Sequence, residues 1–354
     1  MNSPLIPLTA TVRILVTGVA IALRRLLAIA AVAASAATGA AHAGEIVDAA
    51  YVAEALGRGV IVWDVRDAKS YADGHILGAV NVGDIGAVLR DPNREDWVPS
   101  AEVAAVLGRA GIDILGREVI VYARMGDPNA YYALNGIRHF GGKSGKVFHG
   151  GLDAWQASGR PLTKEATALP PVTLALMPRA GTLIGNDELL ARLRAGHRQI
   201  VDARTPKEFA GEDVRAIRGG HIPGALNLPF EQNWSDPDAL TKLLSGRTRS
   251  RDGMSLKPEA ELRKLYAHLD PAKEVVVYCQ SGVRAGVTAA VMRDLGFKDV
   301  KVYEPSWLGY AGMLNQPATH EVFLNVGALN GRLGALTGRL AELEAELGRL
   351  KAAR

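Results

Sequence analysis

The chain has 354 residues and a single cysteine, Cys279. An internal disulfide is therefore excluded. In an oxidising compartment an unpaired thiol is a liability unless it performs chemistry. Charge of one sign is also scarce. The formal net charge is +4, and the first 43 residues carry Arg13, Arg24 and Arg25 with no acid. Residues 44–354 hold 38 basic and 37 acidic side chains, a net +1. No basic stripe is visible, which excludes an ordinary nucleic-acid binder. No His, Cys, Asp or Glu spacing suits a metal, and no cofactor is implied. The chain also lacks Gln/Asn-rich or Ser/Pro-rich tracts.

What is present is an ordinary globular balance, 48% hydrophobic and 22% charged, at a length that suggests about two domains. The N-terminus reads as an export signal. Arg24 and Arg25 precede an Ala-rich apolar run, Leu26 to Ala34, and Ala41-His42-Ala43 gives a small-x-small cleavage pattern. A cleaved signal peptide over 1–43, with Gly44 as the mature start and a periplasmic or secreted location, is the expectation. A second apolar run, Ile14 to Leu23, leaves an uncleaved anchor as the alternative. The arginine pair interrupts it, so neither half reaches the ~20 residues of a spanning helix.

The remaining chain contains an internal repeat. One copy reads Val60-Ile-Val-Trp-Asp64-Val-Arg66, then Tyr71, then Gly74-His75-Ile76-Leu-Gly78-Ala79-Val-Asn81. The other reads Ile200-Val-Asp202-Ala-Arg204, then Glu208-Phe209, then Gly220-His221-Ile222-Pro-Gly224-Ala225-Leu-Asn227, with eight extra residues between aromatic and histidine. Each copy later has an apolar strand, Val119 to Ala123 and Val275 to Cys279. Short continuous apolar strands suit a sheet covered on both faces. Helical patterns lie between them at Asp187 to Arg194 with Asn186 as N-cap, at Lys257 to Leu269 and at Gly286 to Leu295. Alternating strand and helix predicts an α/β fold of two domains, each a mostly parallel sheet flanked by helices. The expected domains are 44–162 and 182–318, joined by a linker over 163–181 containing Pro170, Pro171 and Pro178.

Cys279 opens the turn Cys279-Gln280-Ser281-Gly282-Val283-Arg284 between a buried strand and a helix. At the carboxyl end of a parallel strand such a turn faces the ligand crevice. Its backbone N–H groups and the helix N-terminus make an anion-binding nest. That field favours a sulfur anion, as thiolate or persulfide, and Arg284 adds positive charge.

These elements, in this order and doubled, resemble the rhodanese family over Ala49 to Pro317. The resemblance implies two tandem rhodanese-like domains and a catalytic Cys279, with Gln280, Ser281, Gly282, Val283 and Arg284 holding the substrate. It implies that Cys279 takes sulfur from an anionic donor such as thiosulfate. A persulfide then hands it to a thiophilic acceptor, cyanide or a thiol. Related phosphatases place arginine six positions after the cysteine; here Arg284 is five positions on, the sulfur-type loop. Ala123 stands where the first copy would need a thiol, so that domain is expected to be inactive. Arg215 and Arg218, in the insert of the active copy, are candidates for binding the donor. In the similar mercaptopyruvate enzymes an arginine stands where this chain has Glu208. A mercaptopyruvate sulfurtransferase or a protein persulfide relay is the alternative, and a non-catalytic binding protein of the same fold is a third reading. Asp202, Arg204 and His221 recur without a nucleophile as Asp64, Arg66 and His75, which marks them as structural residues near the site. Trp307 is a pocket wall or a core residue.

The tail differs. Val322, Val326, Leu329, Leu333, Leu336, Leu340, Leu343, Leu347 and Leu350 alternate at spacings of four and three, an apolar heptad seam. Arg339 with Glu344 and Glu346 with Lys351 place opposite charges across a parallel pair. A coiled-coil helix over 319–354, joining copies of the chain into a homo-oligomer, is the expectation; a single helix docked on its own domain is the alternative.

Overall fold

The computed structural model describes residues 44–352. The expected export signal, 1–43, lies outside the described residues. The first copy holds β1 (Ile46–Val47), β2 (Ile61–Asp64), β3 (His75–Ile76), β4 (Ala79–Asn81), β5 (Glu118–Tyr122), β6 (Ser144–Phe148) and β7 (Leu162–Thr163). The second holds β8 (Leu183–Ile184), β9 (Ile200–Asp202), β10 (Arg218–His221), β11 (Leu226–Asn227), β12 (Glu274–Tyr278), β13 (Asp299–Tyr303) and β14 (Thr319–Phe323). The two main sheets have orders β4-β2-β5-β6-β1 and β11-β9-β12-β13-β8, the same topology twice. All pairings within them are parallel. The apolar central strands β5 and β12 are buried except at their first residues, because helices cover both faces.

The copies meet through the helices Pro128–His139 and Val283–Asp294, which pack directly on each other. Both are buried along most of their length. Gly286 permits the approach: a Cβ there would stand 2.7 Å from Asn135 Nδ2 and 3.3 Å from the Tyr131 backbone. One continuous apolar cluster runs from Trp63 and Val121 of the first copy to Val277 and Cys279 of the second. The second copy follows directly on the core of the first, and the Cys279 end of β12 lies at their junction.

Three local expectations change. Asn186 is the first residue of its helix rather than the cap; Gly185 caps it, its N–H donating to Glu188, while Asn186 accepts from the Tyr303 hydroxyl. The helix expected over Lys257 to Leu269 is confined to Glu259–Leu265, because Pro258 fixes its start. The tail is not helical from 319. Thr319–Phe323 forms β14, antiparallel to β10 in the insert, and Val322 belongs to this strand rather than to the seam. The helix spans Val326–Ala352. Its leucines, Leu329 to Leu350, are 41–67% exposed, so it is not docked on its own domain.

Candidate active site

The repeated motifs fasten each sheet end. Arg204 donates from Nε to both Asp202 oxygens at 3.0 and 3.1 Å, and from Nη2 to Asp202 Oδ2 at 2.6 Å and the Gly220 carbonyl at 2.7 Å. Arg66 repeats this on Asp64 and Gly74. Asn227 Nδ2 donates to the carbonyls of Asp202 and Arg204, as Asn81 does to those of Asp64 and Arg66. His221 stacks on Phe209 at 3.5 Å and His75 on Tyr71 at 3.7 Å. Asp64, His75, Asp202, Arg204 and His221 are buried, and their polar groups are satisfied by one another and by backbone carbonyls. They set the ends of the strands from which the loops spring. Trp307 is core: it is buried, donates to the Arg218 carbonyl and lies under the Arg204 guanidinium.

Cys279 follows β12 and is 1% exposed. Its N–H donates to Ser306 Oγ at 3.1 Å, and its carbonyl accepts from Trp307 N at 3.0 Å. The Gln280 carbonyl accepts from Leu308 N at 2.9 Å, while its side chain donates to the Arg215 carbonyl. Gly282 has φ +84°, and a Cβ there would approach the Glu304 carbonyl at 3.0 Å, so the turn needs glycine. The N–H groups of Gln280, Ser281 and Gly282 donate to no atom among the described residues. Val283, Arg284 and Ala285 follow as the first turn of the helix, whose N–H groups have no partner within it. Six successive amides after Cys279 are thus left without a partner among the described residues, a ready cradle for negative charge.

The corresponding loop of the first copy is closed. Met125 N donates to Asp153, Gly126 N to the His149 carbonyl and Asp127 N to the Arg124 carbonyl, and Pro128 has none to give. Asp127 also brings a carboxylate to that helix N-terminus. Ala123 thus lacks the nest as well as the thiol.

Glu208 gathers the cations beside the Cys279 loop. It is 1% exposed and accepts from Arg284 Nη1 and Nη2 at 2.7 Å each, from Arg215 at 3.2 Å and from Thr205 at 3.0 Å. Burial alone would raise its pKa, but the Arg284 hydrogen bonds and charge hold it down at about 2. Burial would likewise lower that of Arg284; the bond to Glu208 and the charge of Cys279 raise it instead. Sequence reasoning met Glu208 only as a departure from a family arginine and missed this role, which the capping-box pattern Thr205-x-x-Glu208 partly signals.

Arg215 and Arg284 line a cleft of about 450 Å³ together with Glu208, Glu231, Trp234 and Arg251, and with Gly126, Asp127 and Pro128 from the first copy. Arg218 does not reach it. Its side chain is 1% exposed, paired with Glu321 of β14 and bonded to the carbonyls of Tyr310, Ala311, Met313 and Gln316. The assignment of Arg218 to substrate binding is therefore corrected: the insert's pairing with β14 turns it inward. Arg251, which the sequence did not single out, lines the cleft and forms no ion pair among the described residues. Its Nη1 donates to the Met125 carbonyl of the first copy.

The fold defines a tandem pair of parallel-sheet domains, and the chain's one thiol stands in the second. The Rhodanese-like domain matches residues 48–158 and again 185–313; the chain belongs to that family. It is 34% identical over 291 residues to the thiosulfate sulfurtransferase of Corynebacterium glutamicum, covering 78% of this chain and 91% of that one. The crystal structure of SseA from Escherichia coli, a 3-mercaptopyruvate sulfotransferase of rhodanese fold, is 27% identical with a TM-score of 0.62. That match covers 75% of this chain and 99% of that one. EanB shares the fold at a TM-score of 0.66 and 20% identity, over 78% of this chain and 69% of its own. The chain is a sulfurtransferase of the rhodanese type.

Proposed function

We propose that the protein moves sulfane sulfur from thiosulfate to a thiophilic acceptor through a persulfide on Cys279. The Cys279 thiolate attacks the outer sulfur of thiosulfate, the sulfur–sulfur bond of the donor breaks, and its electron pair leaves with sulfite. The new terminal sulfur keeps one negative charge. Cyanide or a thiolate then takes that sulfur, and the thiolate returns. The observation that carries this reading is the set of unpartnered amides after Cys279, set against their occupied counterparts after Ala123. Preorganised donors aimed at a charged sulfur stabilise each anionic state without reorganising. Gln280, Ser281, Gly282, Val283 and Arg284 supply the nest, and Arg215 stands at its rim.

The similarity to SseA supports 3-mercaptopyruvate as the second reading. Glu208 weighs against it, since it neutralises Arg284 and Arg215. Intact mass after exposure to each donor separates them: thiosulfate should add one sulfur atom and release one sulfite. Cys279→Ser should lose both the adduct and turnover, because a protonated hydroxyl forms no persulfide. Substantial turnover in that variant would overturn the mechanism.

The export signal, cleaved after Ala43, would put the enzyme in the periplasm or outside the cell. Residues immediately after that point support it: Glu45 pairs with Arg138 and Arg293, and its N–H donates to Asp294. The domain is thus built in from the expected mature start. The exposed leucine seam of Val326–Ala352 supports self-association of the chain through a parallel coiled coil.

A further inference from the structure

The first copy has no nucleophile, yet one of its side chains reaches into the sulfur loop of the second. Arg90 Nη2 donates to the Ser281 carbonyl at 3.0 Å. The Arg90 side chain is only 14% exposed. It is held from two sides: Nε donates to the Glu95 carbonyl at 3.1 Å, and the Tyr132 ring lies 5.2 Å beneath it. Glu95 takes φ +58°, a left-handed conformation that is costly for a residue with a side chain. The tight turn from Asp91 to Asp96 imposes it and so aims the Glu95 carbonyl at Arg90. The same segment grips the second copy again, since Trp97 N–H donates to Glu304. Glu304 lies two residues before Ser306, the acceptor for the Cys279 N–H and itself left-handed at φ +50°. Of three left-handed non-glycine residues among those described, two therefore stand behind the sulfur loop.

We infer that Arg90 of the inactive copy is a positioning residue for the sulfur nest of the active copy. The inference rests on the reading of Cys279 as the sulfur carrier. The Ser281–Gly282 peptide is trans, so its C=O and N–H point in opposite directions. Anchoring the carbonyl on Arg90 turns the Gly282 N–H away from the first copy, where no described atom receives it. A cation on the carbonyl also polarises the peptide and strengthens its N–H as a donor. The tandem arrangement thus keeps a copy without a thiol because the nest of the other is incomplete without it.

The test uses the full chain with Arg90→Met, Arg90→Gln and Arg90→Lys. Cys279 is buried, so a variant that merely loosens the loop should react faster with iodoacetamide. A variant that loses nest polarity should react more slowly, because the sulfur anion is less well stabilised. We expect Arg90→Met to slow alkylation at pH 7 and to lower kcat for sulfite release about five- to tenfold, the worth of one hydrogen bond. KM should change little, and Arg90→Lys should recover most of both rates. If Arg90→Met does not fold, Gln against Lys decides, with Gln the slower. Alkylation at or above the wild-type rate in every folded variant overturns the inference. Turnover surviving in Cys279→Ser would instead remove the reading it rests on, so the two failures are distinguishable.

Discussion

Glu208→Gln is the most exacting perturbation of the site, because the carboxylate is both buried and shared. Its two oxygens accept five hydrogen bonds, from Arg284 twice, from Arg215 and twice from Thr205. Glutamine keeps the shape but offers one acceptor oxygen and turns an amide N–H toward a guanidinium N–H. Arg284 then stays largely buried with its charge uncompensated, a loss of about 3 to 5 kcal/mol in comparable pairs. Proton linkage gives a consistent figure. The pKa falls from 4.5 unfolded to about 2 folded, which corresponds to about 3 kcal/mol at pH 7. Because the folded value is the lower one, this stability is present above pH 4.5 and disappears as pH falls through 2. Urea unfolding should therefore show the variant about 3 kcal/mol less stable at pH 7, with the gap about 1 kcal/mol smaller at pH 3.5. A gap below about 0.5 kcal/mol at pH 7, within the range of neutral surface changes, or one that widens toward acid, would refute the ion-pair argument.

Three other outcomes can be read from the same structure. Burial raises Glu304 from 4.5 to about 7; stability is then fullest below pH 4.5 and declines as pH rises through 7, so Glu304→Gln should exceed wild type by up to about 3 kcal/mol at pH 8 and by about 1 kcal/mol at pH 5, read by thermal or urea unfolding. The double variant Ala123→Cys, Cys279→Ser should show no persulfide by intact mass and no thiosulfate turnover, since the amides of Met125, Gly126 and Asp127 are already taken and Pro128 has none; wild-type-like turnover would show that the nest is dispensable. Truncation after Asn325 should reduce the solution mass by light scattering to that of a monomer and leave turnover per Cys279 unchanged, while full-length protein that is already monomeric at micromolar concentration ends the self-association reading. The cut must leave β14 whole, because that strand carries Glu321, the ion-pair partner of the buried Arg218.

The repeat, the parallel sheets and the turn after Cys279 were legible because each rests on local chemistry. An Asp-x-Arg pair two residues apart can close on itself, and glycine at 282 marks a turn whatever surrounds it. What was not legible depends on chain segments far apart in sequence. Arg218 looked like a substrate ligand because a cation in an insert beside a crevice is usually solvated. Only the pairing of β10 with β14, about a hundred residues later, shows it turned inward. Val322 fitted a heptad through one spacing of four to Val326, which a strand followed by a helix also allows, and only the pairing of β14 with β10 separates the two. Arg90 carried no signal at all, since its partner is a backbone carbonyl 191 residues away.

The two copies differ less in framework than in which backbone donors are already engaged. Strand order, Asp–Arg clamp, histidine stack and asparagine bridge are the same in both. Without a thiol at 123 there is no sulfur anion for open amides to hold, and in their place stand bonds that stabilise the fold: Asp153 on Met125 N and Arg124, and Asp127 on its own helix. The active loop forgoes such bonds and leaves its amides for the anion, at a cost of about 1 kcal/mol each in ordinary stability. Support for so open a turn must come from outside it. Here it comes from Ser306 and Trp307 on one side and from Arg90 of the other copy, which is a physical reason for the active copy to remain joined to an inactive one.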